Sequence, residues 1–428
     1  MKNKHIYKDI WINAYPIIIW LSMEPFAGLV DVSIAGNLSL DSLSAVGIGT
    51  TIYFVTTWLF IFLAYGTTPY VADLKINNKF ESLRFFIFYG RKTSIYLGAF
   101  VFLIILVFEN QFINLFKPTT EVSELSSIYL ISRSIGIPFF LLNMHSTAVL
   151  RGLRFPKYTT ISSFISTSLN ILLSFTLGII AGFGIMGIGI ASSISFFVAS
   201  IYSTYVLNFK IKQHLKTNEN IDKEFIRKKF FNVGSKIFIR SIFLTAFMAT
   251  LSNQASRLSM NDIALHHVLQ QMWNISYTFV DALAIAAQTL VAEHIAKNKR
   301  FIKSDLRKSF IRLTFSISIF LSIVFYFGIV FFSEFVSNQT FIQFEDIRIV
   351  LVFCSTIFFG YFAFLWDGVL LGLDKSKEFS LITIFGSIAG FTSLFFLLNY
   401  QQSLLFIWIA LAISLIVRGA MGAYYQVD

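Results

Sequence analysis

The chain is short of charge and almost without cysteine. Charged side chains make up 13% of its 428 residues, against about 25% in soluble domains. That deficit excludes an ordinary water-soluble globule. With 56% apolar residues and a mean hydropathy of +0.70, the chain belongs in a bilayer. Cys354 is the one cysteine, so no disulfide forms within the chain, and no Cys/His spacing suits zinc. Only six prolines occur, which makes Pro16 and Pro25, both inside the first apolar run, conspicuous. There is no low-complexity tract, and no nucleotide-binding domain that would let the chain hydrolyse ATP by itself. No nucleophile–base or metal constellation is apparent either, so an enzyme is not expected.

Acidic residues are fewer than basic ones, 23 against 34, for a net charge of +11. The basic residues are not spread evenly. Lys75, Lys79, Arg84, Arg151, Arg154 and Lys157 fall on one set of loops, as do the clusters at 209–236 and 296–312. The opposite set carries Glu109, Glu121, Glu124 and Glu334. This is the positive-inside pattern. It predicts a cytoplasmic linker and two cytoplasmic termini in a bacterial plasma (inner) membrane, and makes the charge a topology signal rather than a nucleic-acid footprint. Lys2, Lys4 and Lys8 precede an apolar stretch as in a signal peptide. That stretch runs on to about residue 35 with no small-residue cleavage site, so it is expected to stay as the first helix.

Spanning the hydrocarbon takes about 20 mostly apolar residues. Twelve runs qualify, from 10–35 and 43–72 through to 378–398 and 403–425. They come in two sets. Val149-Leu-Arg-Gly-Leu153 recurs as Val369-Leu-Leu-Gly-Leu373, a shift of 220. The same shift carries Leu63-Ala64 onto Leu283-Ala284, Val71-Ala72-Asp73 onto Val291-Ala292-Glu293, and Lys157 onto Lys377. Six spans per copy is an even number, so the two halves insert the same way round, as parallel repeats. The expected organisation is a six-helix bundle over 1–208, a polar linker over 209–230 and a second six-helix bundle over 231–428. A duplicated, strongly apolar chain points to a transporter. A channel fits poorly, because no filter-like loop is present.

Charge inside the spans is the functional signal, because a carboxylate at mid-helix costs about 2.5–3.5 kcal/mol to insert. Asp31 lies in the first span and Glu24 two turns before it, on the same helix face. Burial disfavours the charged form of a carboxyl group, so two such acids facing a wet cavity can exchange protons or hold a cation. The bland alternatives are a helix-capping Asp31 and a Glu24 uninvolved in coupling. Pro16 and Pro25 read as hinges or as static bends. Asn170, on a face with Ser163, Ser166, Thr167 and Ser174, is either interhelix glue or cavity lining. Asp281 and Asp367 are the acids of the eighth and tenth spans. They are candidate cavity residues, or partners of buried bases such as Arg240 and Arg133. Adjacent His266 and His267 diverge on a helix and do not suggest a metal. Gly182, Gly184 and Gly187 match G-x-G-x-x-G without the βαβ context that motif needs, so a tight interhelical turn is expected. Gly386 and Gly390 read as a packing face.

Several of these stretches together resemble the multidrug and toxic compound extrusion (MATE) family, most closely its DinF-like branch. They are Leu29-Val30-Asp31 with Gly36, Gly66-Thr67-Thr68, Arg151-Gly152, Leu169-Asn170, the run from Gly182 to Ala191, Asp281 with Ala287-Gln288-Thr289, and Trp366-Asp367-Gly368. The resemblance implies an all-α integral membrane protein of 12 transmembrane helices in two pseudo-symmetric bundles around a V-shaped cavity. It implies export of organic, often cationic, compounds in exchange for H⁺, less readily Na⁺, by a monomer among membrane lipids and without a cofactor. It assigns Asp31 and Asn170 to coupling, with Gln288, Asp281 and Asp367 as second-half cavity residues. Ser174 stands where the family often has Asp. A lipid-linked or polysaccharide flippase of the same superfamily is the alternative; the mainly acidic character of the embedded charges tilts against it.

Overall fold

The computed structural model describes residues 2–212, 221–255, 257–258, 260–297, 304–337 and 346–426, and all regular structure among them is helical. In chain order the helices are α1 (Lys2–Leu38), α2 (Leu40–Trp58), α3 (Phe62–Tyr65), α4 (Thr67–Ile76), α5 (Phe80–Asn114), α6 (Thr120–Ser134), α7 (Ile137–Gly152), α8 (Pro156–Phe175), α9 (Gly184–Lys212), α10 (Lys223–Ala255), α11 (Met260–Ala296), α12 (Asp305–Ser337), α13 (Asp346–Gly372), α14 (Ser376–Tyr400) and α15 (Leu404–Tyr425). Ten of these are long and apolar enough to cross a membrane. Two bent pairs raise the count to twelve: Asp41–Trp58 with Phe62–Ile76 at 42°, and Thr120–Ser134 with Ile137–Gly152 at 44°.

Local chemistry explains the boundaries. Ser39 caps α2 by accepting the Ser42 N–H at 2.9 Å, and Ser403 does the same for α15 through Leu405. The α6–α7 bend falls at Gly136 with Pro138 at the start of α7. At the copied positions the second half has Thr356 and Phe358, and α13 runs straight through. Between α8 and α9, one wider helical turn (Thr176–Ile180) leads into Gly182 and Gly184, both at positive φ (74° and 55°). A Cβ on Gly187 would sit 2.6 Å from the Leu177 backbone. The G-x-G-x-x-G run is therefore a turn between close-packed helices.

The duplication is visible atom by atom. Arg154 and Asp374, 220 apart, both adopt the left-handed conformation, at φ 62° and 60°. A Cβ on Gly152 would lie 2.6 Å from the Thr68 carbonyl oxygen and 2.8 Å from Val71. On Gly372 it would lie 3.0 Å from the Gln288 carbonyl oxygen and 2.8 Å from Val291, the copied positions. The repeated glycine is thus a repeated point of backbone contact.

The compact units do not follow the repeat boundary. One comprises Tyr15–Phe238; the other comprises Met1–Ala14 with Ile239–Asp428. Ile10 and Ala14 belong to a cluster with Leu283, Phe310 and Trp366. Phe230, the copy of Ile10, packs on Phe62, Phe86 and Tyr89 at ring separations of 6.1, 5.7 and 5.7 Å. The start of each leading helix is therefore lodged in the unit formed mainly by the other repeat. For the same reason, residues 223–230 of the expected linker are helical, as the first turns of α10. Their repeating apolar positions (Ile226, Phe230, Gly234, Ile237) supply the packing face. Residues 213–220 lie outside the described residues.

Because the two glycines sit at backbone contacts, Gly152→Ala and Gly372→Ala should each destabilise the protein by about 1–3 kcal/mol. Gly328, where an added methyl group would meet nothing within 4 Å, is the control. Thermal unfolding in detergent should show lower midpoints for the first two variants and no drop for Gly328→Ala.

Candidate functional site

Asp31 is buried, with 1% of its surface exposed, near the end of α1. Its partner comes from α8. The Ser174 hydroxyl donates to Asp31 Oδ1 at 2.8 Å. The contact belongs to a regular seam between the two helices. Thr160 donates to the Pro16 carbonyl oxygen at 2.6 Å, and Thr167 to the Met23 carbonyl oxygen at 3.3 Å. Donors and acceptors both recur at about seven residues, two helical turns. The hydroxyl-rich face around Asn170 is thus the surface on which α1 rests. The helix is continuous through Pro16 and Pro25. The side chains of Glu24 and Pro25 lie outside the described residues.

Asp31 lines a cavity of ≈ 70 Å³ built wholly from the Tyr15–Phe238 unit. Asn170, Ser192, Ser195, Asn143 and Arg133 line it too, with Trp20, Phe140 and Phe196 as apolar wall. Such a volume holds a few waters and suits an ion or a proton relay rather than an organic cargo. Asn170 donates through Nδ2 to Ser192 Oγ at 2.9 Å, while its Oδ1 is buried and receives no hydrogen bond. The unused acceptor is notable, because buried polar atoms are nearly always satisfied.

Arg133 is the member that sequence reasoning misplaces. Expected as a partner for the second-half acids, it instead lines the Asp31 cavity. Its guanidinium donates to Thr50 Oγ1 at 3.1 Å and to the Tyr129 hydroxyl, and lies 4.6 Å from the centre of the Tyr53 ring. Its helix is clamped to α9, where Ser193 Oγ donates to the carbonyl oxygens of Ser132 and Arg133 at 2.8 and 3.0 Å. Gly49 leaves room for Tyr129, whose ring would be 2.5 Å from any Cβ there.

The second-half candidates have different surroundings. Asp367, 6% exposed, is held between two arginines. Arg240 reaches Oδ2 at 3.2 Å, and Arg418 donates to both carboxylate oxygens. Arg240 also donates to Thr383 Oγ1 at 3.0 Å. Pairing with Arg240, one of the two alternatives, is what the structure contains; Arg418 is a partner that sequence reasoning misses. Asp281 is buried and accepts from the Tyr277 hydroxyl at 3.3 Å. Gln288 is buried where α11 meets Gly372. His266 is buried against Trp408, ring centres 5.8 Å apart, and the side chain of His267 lies outside the described residues. Gly386 and Gly390 are packing points as expected, against Ser414 and Phe247.

One carboxylate between two buried guanidiniums makes Asp367 the keystone of its unit. Asp367→Asn leaves both cations uncompensated and should destabilise by about 3–5 kcal/mol. Replacing all three residues together (Arg240→Met, Asp367→Leu, Arg418→Met) should recover most of that loss. Equal melting points for Asp367→Asn and the unaltered protein would contradict this account.

Comparison with known proteins agrees with the resemblance. The MatE family model matches residues 16–176. A probable multidrug resistance protein NorM of Photorhabdus laumondii is 23% identical over 396 residues, covering 89% of this chain and 84% of the relative. The multidrug resistance protein NorM of Vibrio cholerae is 23% identical over 307 residues, 68% of this chain and 66% of its own length. Among solved structures, a MATE protein in the bent conformation superposes with a TM-score of 0.89 at 18% identity, covering 98% of this chain and 94% of that one. A MOP superfamily transporter from Pyrococcus furiosus does so with 0.87 at 17% identity, covering 98% and 95%. The MatE match falls over the segment that carries Asp31 and Asn170, and relatives align along most of the chain's length, so the chain is similar to the multidrug and toxic compound extrusion family of membrane transporters.

Proposed function

We propose that this protein is a proton-coupled antiporter that exports amphiphilic organic compounds, often cationic, by alternating access, and that Asp31 carries the proton. We place it in the DinF-like branch on Gly66-Thr67-Thr68, in a bacterial plasma membrane with both termini cytoplasmic on the distribution of Lys and Arg. The cargo class rests on the bacterial relatives, named as multidrug resistance proteins.

The observation that carries the coupling assignment is the unsatisfied Asn170 Oδ1 in the cavity shared with Asp31. An ionised carboxylate only accepts hydrogen bonds; a protonated one also donates. Protonation turns Asp31 into a donor within a cavity where the Asn170 oxygen is unpaired, and it alters the bond from Ser174. Both changes act on the α1–α8 seam, whose other links are the Thr160 and Thr167 hydroxyls at Pro16 and Met23. Proton occupancy is thereby tied to the fit of α1 against its neighbour.

Two features favour H⁺ over Na⁺. Ser174 provides a hydroxyl where a second carboxylate would strengthen a cation site. Arg133 places a fixed positive charge in the cavity wall, and bringing in another cation at such range is electrostatically unfavourable.

In inverted membrane vesicles, an imposed pH gradient (inside acidic) should drive uptake of an ethidium-like dye, and a Na⁺ gradient without ΔpH should not. Asp31→Asn should abolish the uptake while leaving expression and melting behaviour intact. Undiminished uptake by that variant would remove Asp31 from the coupling step, and uptake driven by Na⁺ alone would overturn the choice of ion.

A further inference from the structure

The geometry points to a binding site for one anionic phospholipid in the groove between α5 and α10, with Lys92 and Arg227 on its head group and an acyl chain along the aromatic face of α5. The groove encloses ≈ 490 Å³, of the order of a single acyl chain, and lies within the Tyr15–Phe238 unit, away from the Asp31 cavity.

Its two ends differ in chemistry. α5 has 35 residues, about 52 Å of helix, against a hydrocarbon core of about 30 Å. Its N-terminal part carries Glu81, Arg84, Arg91 and Lys92; from Thr93 to Phe108 no charged residue occurs. Lys92 therefore marks the polar boundary of the membrane-embedded portion. Arg227 faces it from α10, with its guanidinium 5.6 Å from the Phe85 ring and 5.5 Å from that of Tyr89. Lys223 adds a third positive group, 5.8 Å from Phe85. Among the described residues, Glu81 pairs with Arg84 and Glu224 with Lys228, and no carboxylate comes within ion-pair distance of Lys92 or Arg227.

Beyond Lys92 the groove is apolar. Tyr96 and Phe100 follow at one-turn intervals and are 64% and 59% exposed; Phe231, 54% exposed, forms the α10 side. An aromatic wall toward the hydrocarbon beneath a pair of uncompensated cations complements a molecule that is anionic at one end and aliphatic at the other. Basic pockets between helices at the cytoplasmic boundary recognise lipid head groups in this way. A soluble anion leaves the aromatic face unused, and a cationic amphiphile meets repulsion from both side chains.

Native mass spectrometry of the purified full-length protein, titrated with equal phosphatidylglycerol and phosphatidylcholine, tests the site. Phosphatidylglycerol should be retained preferentially, and Lys92→Ala and Arg227→Ala should each reduce that preference by about fivefold. Lys92→Arg with Arg227→Lys should keep it, as should Lys228→Ala, which removes an exposed charge elsewhere on α10. Glycerol phosphate, which lacks acyl chains, should not displace the lipid. Equal retention of the two lipids, an undiminished preference in the double alanine variant, or displacement by glycerol phosphate would each overturn the assignment.

Discussion

Hydrocarbon offers no hydrogen bonds, and this structure is organised by that fact. Each polar group carried into the spans must meet another supplied by the chain. Serine and threonine hydroxyls do most of this, bonding back to carbonyls of their own helix or across to a neighbour. Where they cross, they fix pairs of helices in register, as along α1 and α8. Where charge is buried, it is gathered into small constellations: Arg133 among Thr50, Tyr129 and Tyr53, and Asp367 between Arg240 and Arg418. The Asn170 carbonyl oxygen, in the cavity shared with Asp31, is among the buried polar atoms that receive no hydrogen bond.

The repeat makes the site's specialisation explicit. The positions 220 beyond Asp31, Tyr53, Tyr129, Arg133 and Ser174 are Leu251, Trp273, Ile349, Phe353 and Leu394. All five belong to one buried apolar cluster in the second unit. A polar cavity in one copy therefore answers to an apolar cluster in the other. The exchange also runs the other way, since Arg240, Asp367 and Arg418 answer to Trp20, Thr147 and Val198. Duplication preserved the glycine contacts and turns while the embedded charges diverged.

Much of this was legible in the sequence because it is local or periodic. The spans follow from apolar runs, the repeat from VLRGL and VLLGL, and the isolation of Asp31 from the scarcity of charge around it. The hydroxyl face of α8 could be read from spacing alone. Less legible were contacts between distant segments. Arg133 lies 83 positions from Thr50, and Arg418 lies 51 from Asp367. Linear spacing carries no mark of such meetings. The extent of α10 was hidden for another reason: its first turns are rich in lysine and arginine and so resemble a linker, although every third or fourth residue is apolar. Solvated charge on one side of a helix and packing on the other are easily mistaken for a polar loop.

The exchanged helix ends bear on how the chain is made. Synthesis runs from the N-terminus, so residues up to Ala14 emerge long before Leu283, Phe310 and Trp366, the side chains around which they pack. The Tyr15–Phe238 unit, in turn, takes its last pieces from the opening turns of α10. Neither unit can be finished at the point where the first repeat ends. Each waits for the leading helix of the other, and a chain severed between the repeats would leave two incomplete cores rather than two separate modules.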